Sequence, residues 1–299
     1  MCGSVHSMMT RIFEDESEPL FGRATAKIIL GPLPISVLET ALRDHNPEYT
    51  SEDLLTFFML TGSVPKYMEV LIDGGAFDSE AMLQKIASTG SVFLIDGRDL
   101  LVTEFGKEYR TYLTILQLLS SGLGKRREIE NVLDIDAGTY LKRLEEEHGL
   151  VQHISPVFSS TNNRNTRWVV SDMYLRFYFR FVRPSSNYVE SGRYDLLLRA
   201  IERDLPDYEG RILEDFFRRR ISEEDVYTEV GSYWNRKGDI EIDIVVLDDI
   251  VKQARLIEVK RNSSKLNMSE LMTKADSLSH ELKGYEVSFE GLSMDDVKR

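Results

Sequence analysis

Cysteine is nearly absent: Cys2 is the one example in 299 residues. That excludes an internal disulfide framework and suits a reducing compartment. No apolar run approaches the roughly 20 residues that span a bilayer, and no signal-peptide pattern opens the chain. The expectation is therefore a cytoplasmic protein with no membrane partner. Positive charge is also short, with 37 Lys and Arg against 50 Asp and Glu and a net charge of −13. Such a chain does not coat polyanions nonspecifically, so any contact with nucleic acid must be local. What is present is a globular balance, 42% hydrophobic and 29% charged, in a chain long enough for two or three compact units.

Residues 1–34 open on a Gly-Ser turn with no preceding strand to carry it, an odd start for a domain. From 35 to 106 the pattern is helical. Thr50 and Ser51 are candidate N-caps, Leu54, Leu55, Phe58 and Met59 share a helix face, and Gly62 is a stop signal. A further helix is expected at "SVPKYMEVL", with Ser63 as its cap and Pro65 in its first turn.

Residues 107–184 read as three amphipathic helices, whose apolar faces include Ile115, Ile129 and Leu141, followed by two short strands around the polar loop 159–167. Three helices and a hairpin spell a winged helix, with 138–147 as the recognition helix and the Asn/Arg loop as the wing. Residues 108–183 hold 11 Lys/Arg against 9 Asp/Glu, a local reversal of the acidic whole. Lys142, Arg143, Arg164 and Arg167 are the candidate nucleic-acid contacts. The same helix carries Glu145, Glu146 and Glu147, so packing against another domain or protein is the competing expectation. The following run, "MYLRFYFRFVR", reads either as a core helix with surface arginines or as a stacking platform for single strands. Pro184–Asn187 then reads as a linker into a fourth segment, 185–299.

The chemistry concentrates in "EIDIVVLDDIVKQARLIEVKRN", residues 241–262. Strand alternation puts Glu241, Asp243, Val245 and Leu247 on one face and Ile242, Ile244 and Val246 on the other, and Glu258 shares a face with Lys260. A hairpin symmetric about Ile250 and Val251 sets Asp243 opposite Glu258 and Glu241 opposite Lys260. Like charges across a ladder repel, so the pair needs positive charge between the carboxylates. Mg²⁺ or Mn²⁺ fits, held by Asp243 and Glu258 with Glu214 from the preceding helix, and Lys260 beside the metal-bound water. A structural salt bridge between Lys260 and Glu241 is the alternative.

The order Glu214, Asp243, Glu258-Val259-Lys260 over helix, strand, turn and strand resembles the core of the PD-(D/E)xK nuclease superfamily. That resemblance implies that Glu214, Asp243 and Glu258 hold a metal and that all four residues are catalytic. More specifically, "GRILEDFF", "GSYWNRKGDIEIDIVVLDD" and "LIEVKRN" resemble the C-terminal domain of unknown function attached to archaeal-type P-loop ATPases of the STAND-like group. Upstream, "CGSVHSMM", "EPLFGRATAKIIL", "YTSEDLLTFFMLTGSVPKYMEVL" and "VVSDMYLRFYFRFVRP" resemble the same family, so the likeness covers nearly the whole chain. It implies nucleotide-binding remnants at Ser4, Arg23 and Pro65, whose ordinary roles would be a turn residue, a surface ion pair and a helix starter.

The chain departs from that family in having neither Walker A nor Walker B. In "SSGLGKRRE", Leu119 stands where the first motif glycine belongs and Arg126 where Ser or Thr belongs. ATP is therefore expected only if a P-loop module is supplied from elsewhere. The overall expectation is an α+β multidomain protein: an ATPase-core remnant (1–34), a helical lid (35–106), a winged helix (107–184) and a restriction-endonuclease-like α/β domain (185–299). The function expected is DNA binding and metal-dependent phosphodiester cleavage. A non-catalytic module for protein partners, or one half of a split ATP-binding protein, is the alternative.

Overall fold

The computed structural model describes residues 12–13, 15–26, 28, 30–105, 109–160 and 165–298. In chain order the helices are α1 (Ile35–His45), α2 (Ser51–Thr61), α3 (Pro65–Asp73), α4 (Ser79–Ile86), α5 (Val92–Phe105), α6 (Tyr109–Ser120), α7 (Arg126–Leu133), α8 (Gly138–Glu146), α9 (Met173–Phe177), α10 (Ser186–Glu190), α11 (Tyr194–Ser222) and α12 (Met268–Asp276). The strands are β1 (Val151–Ile154), β2 (Arg167–Val170), β3 (Glu229–Trp234), β4 (Glu241–Asp248), β5 (Gln253–Val259) and β6 (Glu286–Leu292). The fold is α+β, and no helix among the described residues is long and apolar enough to cross a membrane.

Two units emerge: Met1–Pro32 with Ile86–Ile154 and Arg167–Leu197, and Leu33–Lys85 with Ser155–Thr166 and Leu198–Arg299. Of the expected nucleotide-binding remnants, Ser4 lies outside the described residues. Arg23 is an exposed turn residue whose N–H donates to Leu20 O at 3.1 Å.

In the first unit, α6, α7 and α8 precede an antiparallel hairpin in which Val151 faces Val170 and Ile154 faces Arg167. Ile115, Leu116, Ile129, Leu141 and Leu144 are the buried stripe that the 3.6-residue spacing predicts. The aromatic run at 173–183 is core: Tyr174, Phe177, Tyr178, Phe179 and Phe181 are buried, across α9 and a π-type turn at Tyr178–Val182. Tyr174 Oη accepts from Gly97 N at 2.8 Å and donates to Phe93 O at 3.0 Å. Gly97 stands within α5 because any Cβ there would lie 2.6 Å from the Tyr178 ring. The segment expected as a linker, 184–187, instead runs into α10.

In the second unit α2 starts as its sequence predicts. Thr50 and Asp53 form a capping box, and Asp53 also accepts from Ser79 N at 2.7 Å, tying the start of α4 to α2. Gly62 ends α2 in the left-handed region at φ 56. Pro65 takes the first position of α3, but the residue capping that helix is Val64, not Ser63. Ser63 is itself left-handed, at φ 62, so its side chain cannot reach the helix start, and its buried hydroxyl has no hydrogen-bond partner among the described residues. Phe58 of α2 meets Phe216 of α11 edge-on at 5.3 Å. Arg219 of α11 reaches the carbonyls of Leu33 and Gly62, while Arg220 reaches Val297 O at 2.6 Å.

The sheet of this unit has the order β3-β4-β5-β6. The first two pairings are antiparallel, whereas β6 returns parallel to β5 after α12, as a crossover connection requires. Leu271 and Ala275 of α12 pack in a buried cluster with Ile242, Val245, Leu247 and Leu256. Val157 belongs to the same cluster, and its N–H donates to Ser232 O at 2.9 Å.

Candidate functional site

The β4–β5 register runs from Asp248↔Gln253 to Ile244↔Ile257, symmetric about Ile250 and Val251 as the sequence suggests. Its next step would set Asp243 against Glu258. The ladder with β3 changes there: Gly231 faces Val245 but Tyr233 faces Ile242, so Ser232 alone opposes both Asp243 and Ile244. That is a β-bulge on β4, and it re-aims side chains. Strict alternation separates Ile242 from Val245 and Leu247, whereas the bulge brings all three into one cluster. It also takes the Asp243 carbonyl out of regular pairing. Ser232 Oγ donates to that oxygen at 2.8 Å and Arg218 Nη2 at 3.4 Å.

Asp243, Glu258 and Lys260 meet at this end of the sheet. Lys260 Nζ lies 3.3 Å from Asp243 Oδ2 and 3.5 Å from Glu258 Oε1. The carboxylate of Asp243 also accepts from Val259 N at 2.8 Å, and that of Glu258 from Asn267 N at 2.7 Å. The side chains are 16% exposed at Asp243, 4% at Glu258 and 38% at Lys260, so the acids are sheltered while the lysine that reaches them stays partly exposed. Burial alone would lower the lysine's pKa, but the two carboxylates outweigh it and hold the ammonium above its ordinary value.

Glu214 approaches from α11. Its carboxyl is pushed up to about 8, first by burial and then by the Asp243 carboxylate, against the pull of Arg218. Arg218, one turn further on, is committed to Asp215 at 2.5 Å. Two carboxylates thus share one lysine, with Glu214 held mostly protonated beside Asp243, and the negative charge left over is what a hard divalent cation would neutralise. Asp243 and Glu258 offer the one or two carboxylate oxygens that Mg²⁺ takes while keeping its waters, with Glu214 in reserve. Among the described residues no group of three His, Cys, Asp or Glu is gathered closely enough to hold a metal by itself.

Sequence reasoning missed the supporting residues. Arg218 carried one signal, its i+4 spacing from Glu214; the Asn267 amide carried none. Arg261, next to the candidate lysine, is bound by Glu209 and by Glu52, the latter at 2.6 Å. Beside it a cleft of about 620 Å³ is lined by Lys260, Arg261, Glu52, Ser263, Lys265 and Asp295.

Of the candidate nucleic-acid contacts, Lys142, Arg143 and Arg167 lie in the first unit. Lys142 pairs with Glu146 at 3.7 Å and Arg143 with Glu147, the residue that caps the end of α8, at 3.4 Å, all four exposed. Arg167 is half-buried at the start of β2, and Arg164 lies outside the described residues.

Residues 178–272 match DUF234, a family described as archaeal and bacterial proteins of unknown function. The span includes Glu214, Asp243, Glu258 and Lys260. The chain is also similar to the uncharacterized protein MJECL04 of Methanocaldococcus jannaschii, 27% identical over 268 residues, or 86% of this chain. It spans 58% of that relative's length. No solved structure matches.

Proposed function

We propose that the second unit carries a restriction-endonuclease-like domain of the PD-(D/E)xK type, which hydrolyses nucleic-acid phosphodiesters with Mg²⁺ or Mn²⁺. The observation that carries this reading is the meeting of Asp243, Glu258 and Lys260 at the end of β4 and β5, with Glu214 electrostatically coupled to Asp243. Asp243 and Glu258, aided by Glu214, would hold the cation. The cation would supply a water of lowered pKa and neutralise charge on the phosphate. The remaining work falls to this chain's own groups. Lys260 donates toward the attacked phosphate and stabilises the charge that develops there. The Asn267 amide fixes the Glu258 carboxylate, and Ser232 and Arg218 fix the backbone from which Asp243 projects.

In this reading α6–α8 and the β1–β2 hairpin form a winged helix that delivers nucleic acid, through Lys142 and Arg143 on α8, Arg167 at the start of β2, and Arg164. ATP enters only if a P-loop module joins the chain. The test is calorimetric titration of the protein and of Asp243→Asn with Mg²⁺ and Mn²⁺, beside cleavage of single- and double-stranded DNA and RNA. Metal binding and cleavage should vanish together in the variant. Absence of metal binding by the unaltered protein would sink the reading.

A second reading has its own observation. The basic residues of α8 are tied to glutamates of the same helix, which leaves a poor surface for phosphates. A non-catalytic module for a protein partner, or one half of a split ATP-binding protein, would need no such surface. Salt-insensitive binding to a protein, with no DNA affinity at low salt, would favour it.

A further inference from the structure

Of the side chains that line the cleft, phosphodiester cleavage uses Lys260 and leaves Arg261, Lys265 and Glu52 without a role. There the guanidinium of Arg261 is held by two carboxylates, Glu209 on Nη1 and Glu52 on Nη2 at 2.6 Å. One cation cannot neutralise both. Their crowding shows in Glu209, whose carboxyl is pushed up to about 7, first by burial and then by the charge of Glu52, against the pull of Arg261. The two acids are not equivalent. Glu209 has 4% of its side chain exposed and is a fixed partner; Glu52 has 35% exposed and lines the cleft. An anion that displaced Glu52 would keep the Arg261–Glu209 pair and relieve the repulsion between the acids. Lys265 lines the same cleft, is exposed, and makes no ion pair among the described residues. The turn that presents it, Ser263–Lys265, is fixed by Asn262, whose side chain accepts from Ser264 N at 2.9 Å.

We propose that this cleft binds a phosphate group on Arg261 and Lys265, and that Glu52 is an internal anion that occupies Arg261 until the phosphate displaces it. The proposal rests on the phosphodiesterase reading only for the source of the phosphate. A nucleic-acid strand passing Lys260 would supply one phosphate further along its backbone, while a free phosphate compound would use the same two cations.

The test uses the full chain in EDTA, so that metal-dependent cleavage plays no part. Inorganic pyrophosphate is titrated by calorimetry and a labelled single-stranded oligonucleotide by fluorescence anisotropy, against the unaltered protein and Glu52→Gln, Lys265→Ala and Asp73→Asn. Removing the competing anion should tighten binding about tenfold in Glu52→Gln, and losing one cation should weaken it about as much in Lys265→Ala. Asp73→Asn makes the same charge change at an exposed residue outside the cleft and should leave affinity as it was. Tightening for the oligonucleotide alone assigns a strand, and tightening for pyrophosphate too assigns a free phosphate group; both support the site. No binding of either probe, equal tightening in Asp73→Asn, or unchanged affinity in Lys265→Ala with the fold intact would overturn it. Failure of cleavage with the Glu52→Gln effect intact would count against the phosphodiesterase alone.

Discussion

Replacing Glu214 by glutamine separates a candidate ligand from an ordinary buried acid. With its carboxyl pushed up to about 8, Glu214 is protonated through most of the neutral range, and glutamine copies its shape and its neutral state. The sign follows from proton binding. Between the unfolded value near 4.5 and the folded value near 8, the native protein holds a proton that the unfolded chain has released, so native stability falls as pH rises through that window. At 1.36 kcal/mol per unit the difference has a ceiling of about 5 kcal/mol, and relaxation and water penetration around a buried charge reduce it to about 2. The assay is urea unfolding in EDTA from pH 5 to 9. Unaltered protein should lose about 2 kcal/mol more than Glu214→Gln across that range, the two being closest in stability at the acid end. Added Mg²⁺ should recover stability in the unaltered protein at pH 8 and release a proton on binding near pH 7; in the variant, which keeps Asp243 and Glu258, the stabilisation should be weaker and the proton release absent. Parallel pH curves for the two proteins would refute the charge crowding on which the candidate site rests.

Lys260→Ala should abolish cleavage while the circular dichroism spectrum stays native, since the lysine side chain is partly exposed and lies at the end of the sheet. Loss of the folded spectrum would instead assign Lys260 to structure. Ser63→Gly should stabilise the protein by about 1 kcal/mol, because glycine adopts the left-handed backbone without strain and removes an unbonded buried hydroxyl; a lower unfolding midpoint would count against that. Gly231→Ala places a Cβ 2.7 Å from Val157 Cγ2 and should cost about 2 kcal/mol through overpacking. Adding Val157→Ala should cost less in that background than alone, and strict additivity in the double-mutant cycle would show that the two do not touch.

Much of the second unit was legible as local code. Thr50 and Asp53 spell a capping box and Gly62 a stop, and the α2 boundaries follow from them. The β4–β5 register was legible because two apolar strands flank one short turn, which leaves little freedom in how they pair. Ser63 misled as a helix cap, since its left-handed backbone is imposed by the turn after Gly62 rather than by its own preference. The bulge at Asp243 left no mark in "EIDIVV", because neither glycine nor proline announces it. Nor did Val157 reveal that it packs with the sheet cluster of the second unit; in sequence it is an apolar residue in a loop.

By itself, then, the sequence determined the amphipathic helices and the hairpin pairing, and offered Glu214, Asp243, Glu258 and Lys260 as candidates, because periodicity, caps and turn symmetry act over a few residues. Tertiary structure alone decided that Lys260 bridges Asp243 and Glu258, that Glu214 feels the charge of Asp243, and that Arg261 is contested by Glu52 and Glu209. Those are electrostatic relations between groups as far apart in the chain as Glu52 and Arg261. No local pattern encodes them: they come into being only when packing brings the charges within a few ångströms and strips away the water that would screen them.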